Sequence, residues 1–139
     1  MAGGEMAGNG MAGGEETAQK EQFVYRVSTQ KEWYELQRTG ATLGGDIDRS
    51  TGCIHLSSLH QVKWVLGNFF HGRLDLFLLQ VDASKIGEGL VYETVETKSF
   101  PHFYGPDHSF IPLSLDCVSK AEKLEVIDGE FTCSMLTGE

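Results

Sequence analysis

The segment from Leu74 to Val81 constrains the fold more than any other part of the chain. Its residues are apolar almost without interruption, with Asp75 and Gln80 as the exceptions. A strand covered on one face alternates apolar and polar residues, whereas a strand covered on both faces is apolar nearly throughout. The segment therefore predicts a strand that is buried on both faces.

Helical patterns come early in the chain, and most of the strand patterns follow them. Two capping boxes predict helix starts at Thr29 and Ser58, and the helices are predicted to end at Gly40 and Gly72. The predicted strands are Phe23–Val27, Cys53–Leu56, Leu74–Val81, Leu90–Thr94, Phe110–Leu113 and Lys123–Ile127. Two early helices followed by a run of strands indicate the α+β class.

The two ends of the chain differ from its middle in composition. Residues 1–21 begin with three imperfect Met-Ala-Gly repeats and have no apolar run, which is typical of a disordered tail rich in glycine, alanine and glutamate. Residues 22–127 are predicted to form a single globular domain, and residues 128–139 a flexible C-terminal tail. Because no signal peptide or membrane span is recognised, a cytoplasmic protein is expected.

The net charge of −9 is spread unevenly along the chain. Residues 22–126 hold 13 acidic and 10 basic residues, which leaves this part only mildly acidic at −3. Without a basic stripe, duplex nucleic acid and an anionic membrane are not expected as partners. A small molecule that carries phosphate stays open, because one or two arginines hold such a group locally.

Cysteines and histidines give no metal signature. Cys53, Cys117 and Cys133 are widely spaced, so we expect free thiols rather than structural zinc. The five histidines also lack the spacing of four residues that places two ligands on one helix face. Cys53 lies two residues from His55, but this spacing alone does not identify a nucleophile.

The segment Phe100–Pro106 is the first candidate for a binding site. Its prolines fix two backbone φ angles and remove two donors, and Gly105 supplies a permissive turn residue. In an extended segment His102 and Tyr104 project from the same face. A stiff backbone thus aims a titratable imidazole and a phenol together, which indicates a site rather than a simple connector.

A second candidate lies at Ile54–Ser57, where a short strand leads into a helix. His55 alternates with its apolar neighbours and shares its face with Ser57. A single histidine in such a place is usually structural. The second pair of an imidazole and a hydroxyl, at His102 and Tyr104, makes a cleft with two histidines an equal alternative.

Two charged residues, Arg26 and Glu93, each have two alternative roles. Arg26 lies on the first predicted strand, where it is either a surface charge or a guanidinium that captures phosphate. Glu93 precedes the Phe100–Pro106 segment. An acidic residue beside a loop is usually solvated, so a catalytic part for Glu93 is the less favoured alternative.

Five segments follow one another in an order that carries a family resemblance. They are Val24–Val27, Glu32–Trp33, Gly52–Ser58, Val81–Asp82 and Phe100–Pro106. Together they resemble the domain of unknown function family nine-five-two over residues 22–126. The Ile-His-Leu-Ser stretch is also similar to the Val-His-Leu-Ser stretch of RNA 2′-phosphotransferases.

The resemblance implies an ADP-ribosyltransferase-like fold, with split sheets, two helices in the N-terminal half and an NAD-binding cleft. It places Tyr25 and Arg26 where backbone groups meet the nicotinamide amide, and Ile54–Ser57 beside the ribose or the nicotinamide. The third motif of that fold usually carries a glutamate, and here it falls near His102 and Tyr104. A neutral histidine accepts a hydrogen bond but supplies no full negative charge, so protein ADP-ribosylation is not implied.

We therefore expect a domain that binds NAD, ADP-ribose or a related nucleotide, with transferase or phosphate chemistry as an open question. The expected catalytic residues are His55 and His102. The residues expected to bind the cofactor are Tyr25, Arg26 on phosphate, Ser57 and Tyr104. The alternative from another class is a non-catalytic domain whose cleft binds a peptide or protein.

Overall fold

The computed structural model describes residues 21–138, so the tail predicted for residues 1–21 lies almost wholly outside the described residues. The strands are β1 (Phe23–Thr29), β2 (Ala41–Thr42), β3 (Ile54–His55), β4 (Leu76–Asp82), β5 (Leu90–Val95), β6 (Lys98–Phe103), β7 (Leu113–Ser114), β8 (Val118–Lys123), β9 (Glu125–Ile127) and β10 (Glu130–Thr132). The α-helices are α1 (Gln30–Thr39), α2 (Asp46–Thr51), α3 (Val62–Phe69) and α4 (Ser134–Thr137). Helices mixed with antiparallel sheets confirm the predicted α+β class.

The larger sheet is antiparallel and has the strand order β1-β4-β8. Its middle strand β4 contributes Leu76 and Leu78 to one buried cluster and Val81 to another. Successive side chains of a strand point to opposite faces, so both faces of this sheet are covered. The strand predicted from the apolar run at residues 74–81 is therefore confirmed, although Leu74 itself is exposed.

The smaller sheet has the order β3-β6-β5 and is also antiparallel. Its inner face carries Ile54, Phe103 and Leu90, which pack in the cluster that also contains Val81. An isolated bridge between Tyr25 and Ser57 connects this sheet region to β1 of the larger sheet. Two further strand pairs, β2–β7 and β9–β10, complete the pairing of the described residues.

The predicted capping residues, Thr29 and Gly40, bound helix α1. The Thr29 hydroxyl accepts a bond from the Glu32 backbone N–H at 3.1 Å, and Gly40 ends the helix with a positive φ of 88°. At the second predicted start, Gln61 Oε1 accepts from the Ser58 backbone N–H at 2.9 Å. Helix α3 then ends at Phe69, short of the predicted end at Gly72.

Two predictions of local structure were wrong. The Gly-Gly-Asp run at residues 44–46 predicts a loop that leads to the strand at Cys53, whereas Asp46 begins helix α2, which carries Asp48. The strand predicted at residues 110–113 is reduced to its last position in β7, Leu113–Ser114. Phe110 has a positive φ of 59°, and Pro112 lacks the backbone donor that a paired strand needs.

The C-terminal residues after 127 include ordered elements. Strand β10 pairs with β9, and Met135 in helix α4 is buried against Tyr25 and Leu124. Glu122 accepts bonds from the Ser134 hydroxyl and the Met135 backbone N–H at the start of this helix. The described residues also contain no helix with the length and apolarity that a membrane crossing requires.

Candidate functional site

His55 and His102 lie directly opposite each other on the outer face of the smaller sheet. They are register partners of β3 and β6, and their ring centroids are 4.8 Å apart in an edge-to-face arrangement. The neighbouring pair, Ile54 and Phe103, points into the core, so strand alternation turns both histidines to the opposite face, where His55 is partly exposed and His102 is buried. The structure thus brings together the two imidazoles that the sequence placed in separate motifs.

Glu93 on β5 holds both polar residues of the Phe100–Pro106 segment. Its Oε1 is 2.6 Å from His102 Nδ1 and accepts a hydrogen bond from the Tyr104 hydroxyl at 2.7 Å. These two bonds lower the pKa of the Glu93 carboxyl, and the bond to Glu93 raises the pKa of the Tyr104 phenol. Glu93 is therefore part of the site and not merely a solvated acid at a loop.

Asp48 is the carboxylate that contacts the other histidine, His55. Its Oδ1 accepts from the His55 backbone N–H at 2.9 Å and lies 2.8 Å from His55 Nδ1. The carboxyl is buried in helix α2, where its Oδ2 also accepts from the Gly45 backbone N–H at 2.8 Å. Asp48 was not predicted as a site residue, because the Gly-Gly-Asp run just before it is typical of a loop and gave no sign of a helix.

Arg26 lies behind Asp48 and is buried, with 7% of its surface exposed. Its Nε and Nη2 donate to Glu32 at 3.0 and 2.8 Å, and its Nη1 and Nη2 donate to Asp48 at 3.1 and 2.8 Å. Nη1 also donates to the His55 carbonyl at 3.0 Å. A guanidinium has five N–H donors, and these five bonds use them all.

The two roles foreseen for Arg26 are both corrected by this geometry. Arg26 is no surface charge, because it is buried, and its donors are already committed to Glu32, Asp48 and a carbonyl. Phosphate capture would require the loss of a buried ion pair, which is costly. Any phosphate of a ligand must therefore bind elsewhere.

The site carries excess negative charge. The site contains three carboxylates and one guanidinium: Glu32 and Asp48 contact Arg26, and Glu93 contacts His102, which leaves a net charge of −2 before the imidazoles are counted. Burial alone raises the pKa of the Asp48 carboxyl, but hydrogen bonds from His55 and the charge of Arg26 outweigh burial. The pKa of Asp48 therefore lies below its usual range, and the carboxyl is ionised.

Tyr25 and Ser57 serve the fold in this structure. The backbone N–H of each donates to the carbonyl of the other at 2.8 Å, so these Tyr25 groups are not free for a nicotinamide amide. The Tyr25 ring packs in the core beneath α3, and its hydroxyl accepts from Gln80 Nε2 at 3.0 Å. Ser57 is buried two residues beyond His55. The backbone contact implied for Tyr25 by the family resemblance is thus not supported.

Cys53 lies beside the histidines without the properties of a nucleophile. Its Sγ is 4.0 Å from His55 Nε2, but burial raises the pKa of the thiol, which keeps it protonated. Among residues 21–138 no group of three or more histidine, cysteine or acidic side chains could hold a metal ion.

The loop at residues 106–110, called the strained loop below, lies beside Tyr104. His108 stacks on Tyr104 with ring centroids 3.9 Å apart and planes 14° apart. Asp107, His108 and Phe110 all have φ between 53° and 59°, a region that residues other than glycine rarely adopt. Such strain often marks a site where the backbone must aim a side chain.

The free energy of unfolding at acid pH should depend on the ionisation of the Asp48 carboxyl. Its pKa is lower in the folded state than the unfolded value of about 3.9, so its contribution is complete above that value and is lost as the pH falls below it. We expect the free energy of unfolding to fall below about pH 4. Asp48→Asn should make that fall shallower. Urea unfolding at several pH values checks this, and parallel pH dependences for both proteins would contradict it.

Comparisons with known proteins agree with the family resemblance. A family model described as a protein of unknown function (DUF952) matches residues 27–121, so the chain belongs to this family. The crystal structure of protein CC0527 from Caulobacter crescentus is 28% identical, with a TM-score of 0.70, over 79% of this chain and 93% of that one. Its solution NMR structure is 26% identical, with a TM-score of 0.67, over 82% and 94%. No protein of curated function matches the sequence.

Proposed function

We propose that this member of the family binds the nicotinamide–ribose end of NAD⁺, or of a related nucleotide, on the face that carries His55 and His102. The observation that carries the proposal is the facing pair of imidazoles, 4.8 Å apart, with each Nδ1 bonded to a carboxylate. A neutral imidazole that donates through Nδ1 keeps Nε2 as an acceptor. Two adjacent acceptors suit a ligand group with two adjacent donors, such as a ribose diol.

The charge of the site favours the cationic end of such a ligand. The net charge of −2 attracts the positive nicotinamide ring of NAD⁺ and repels phosphate. Because the Arg26 donors are committed to carboxylates, the diphosphate is expected to lie away from the histidines. NAD⁺ should therefore bind better than NADH, whose nicotinamide ring is uncharged.

The chemistry that suits this arrangement is cleavage of the bond between ribose and nicotinamide. The bond from ribose C1′ to the ring nitrogen breaks, and its electron pair neutralises the ring. The Glu93 carboxylate stabilises the positive charge that develops on the ribose. A water or hydroxyl acceptor then bonds to C1′ and gives its proton to an imidazole Nε2.

This assignment restores the glutamate that the third motif lacked in the sequence. Glu93 contacts His102 and Tyr104 from the neighbouring strand, and in this proposal its carboxylate takes the role of the third-motif glutamate of the related fold. We also propose the finer fold relationship, to ADP-ribosylation-like split sheets. Its support is the pair of small antiparallel sheets with helices before residue 70.

A ligand panel tests the proposal by thermal unfolding. At roughly tenfold above its Kd, NAD⁺ should raise the Tm by about 5 °C, while NADH and ADP-ribose give smaller shifts. His55→Ala, His102→Ala and Glu93→Gln should each remove the NAD⁺ shift. The exposed His60 provides the matched control, and His60→Ala should keep the full shift.

Three outcomes separate the parts of this proposal. No shift with any nucleotide at millimolar concentration would reject nucleotide binding. Equal shifts for NAD⁺ and NADH would keep the binding site but reject the argument from charge. If His55→Ala and His102→Ala only lower the Tm of the free protein and keep the NAD⁺ shift, the histidines are structural.

The second candidate is a non-catalytic domain that binds a protein segment. The same negative charge favours it, because a lysine or arginine side chain brings several donors and a positive charge. A short basic peptide would then raise the Tm where NAD⁺ does not. The two imidazole rings are 4.8 Å apart, and small-molecule sites bring a few polar groups together in this way. We therefore favour a nucleotide over a protein segment as the ligand.

A further inference from the structure

The contacts behind His55 form a continuous chain of charged groups from helix α1 to the site. Glu32 accepts two bonds from one edge of the Arg26 guanidinium, at 3.0 and 2.8 Å. Asp48 accepts two bonds from the other edge, at 3.1 and 2.8 Å. Paired bonds of this kind fix the plane of the guanidinium as well as its position.

The hydrogen bonds of Asp48 determine where the proton of His55 resides. Every bond that Asp48 makes to Arg26, Gly45 and the His55 backbone has Asp48 as the acceptor. An ionised carboxylate has no proton to give, so the contact at 2.8 Å requires the proton to be on His55 Nδ1. The neutral ring then has an unprotonated Nε2, which lies 4.0 Å from the Cys53 Sγ.

We infer that Glu32 and Arg26 are positioning residues, which act through Asp48 to hold His55 as the Nδ1–H tautomer. Glu32 sets the plane of the guanidinium, the guanidinium fixes both oxygens of Asp48, and Asp48 orients the imidazole. Glu32 and Arg26 are both buried, and neither is hydrogen-bonded to an imidazole ring. The inference concerns the resting protein, so it holds whichever ligand the site takes.

The second histidine is held independently and provides an internal control. His102 Nδ1 contacts Glu93, which lies on β5 with 38% of its side chain exposed and outside the Arg26 chain of charges. The two imidazoles should therefore respond to different substitutions. Glu32→Gln should affect His55 and leave His102 unchanged, and Glu93→Gln should do the reverse.

Long-range proton–nitrogen correlation spectra of the ¹⁵N-labelled full chain test this directly, because the two tautomers give different ring nitrogen shifts. The spectra are recorded at a pH where titration of the same signals shows both rings to be neutral. In the unmodified protein both His55 and His102 should carry their proton on Nδ1. In Glu32→Gln the His55 Nδ1–H should exchange with water roughly tenfold faster, because the bond to the charged partner is less firmly held.

The control variant changes another acidic residue of helix α1. Glu35→Gln alters an exposed acid on the same helix, whose contact to Arg38 is long at 3.9 Å, and should leave both rings unchanged. A His55 proton on Nε2 in the unmodified protein would overturn the inference without any variant. Equal changes at both rings in Glu32→Gln, or no change at His55, would also overturn it. None of these results depends on nucleotide binding, so failure here is distinct from failure of the proposed function.

Discussion

Replacement of Arg26 by methionine is expected to lower the free energy of unfolding by about 3–5 kcal/mol, the usual cost of removing one partner from a buried ion pair. Methionine fills a similar space but leaves the buried carboxylates of Glu32 and Asp48 without their cation. Three acceptor groups, those two carboxylates and the His55 carbonyl, lose a charged donor at the same time. Urea unfolding at neutral pH measures the change.

The matched control is Arg38→Met on the exposed side of helix α1. Arg38 is 73% exposed, and its contact to Glu35 is long, so its loss should change stability by less than about 0.5 kcal/mol. Similar small effects for Arg26→Met and Arg38→Met would contradict the account of a buried network. Lower pH should partly relieve Arg26→Met, because protonation removes the uncompensated charge.

The second large effect is expected from Gly89→Ala, with a loss of about 3 kcal/mol or more in the free energy of unfolding. Gly89 has a φ of 99°, and a Cβ there would overlap the backbone of Gly105. The Gly89 carbonyl also accepts from the Tyr104 backbone N–H at 2.8 Å. Because that contact anchors the start of the strained loop, the substitution should displace Tyr104 from Glu93 as well.

Gly87→Ala separates backbone strain from overlap. Gly87 has a similar φ of 86°, but a Cβ there meets no atom within 4 Å. Its cost should be that of the left-handed conformation alone, about 1 kcal/mol. If both substitutions cost the same, the close packing of Gly89 on Gly105 does not contribute to stability. Thermal and urea unfolding of the two variants give the comparison.

Local signals in the sequence predicted the parts of the fold that local interactions determine. Thr29 and Gly40 bound helix α1 because capping depends on neighbours a few residues away. The apolar run at residues 74–81 predicted β4 because a strand that is buried on both faces is apolar at nearly every position. Helix α2 escaped prediction because it has six residues, and glycines, which are typical of turns, precede it.

The site was only half predicted, for a physical reason. The two histidines stood out by their motifs, but the carboxylates that hold them reach them through strand pairing and helix packing. A tight turn at Glu96, which has a φ of 59°, joins β5 to β6 and pairs Glu93 with Phe100. That register places Glu93 diagonally across from His102. A hairpin read from the sequence would have located this carboxylate, whereas Asp48 required the tertiary structure.

Titration of NAD⁺ into the ¹⁵N-labelled protein, with the ring signals of both histidines followed, tests whether His55 and His102 form one binding site for a cationic, donor-rich ligand. We expect both sets of signals to shift together with a single Kd, NADH to shift them less, and His60 to remain unchanged. If NAD⁺ at millimolar concentration leaves both rings unshifted, or shifts His60 as much as His55, the claim is contradicted.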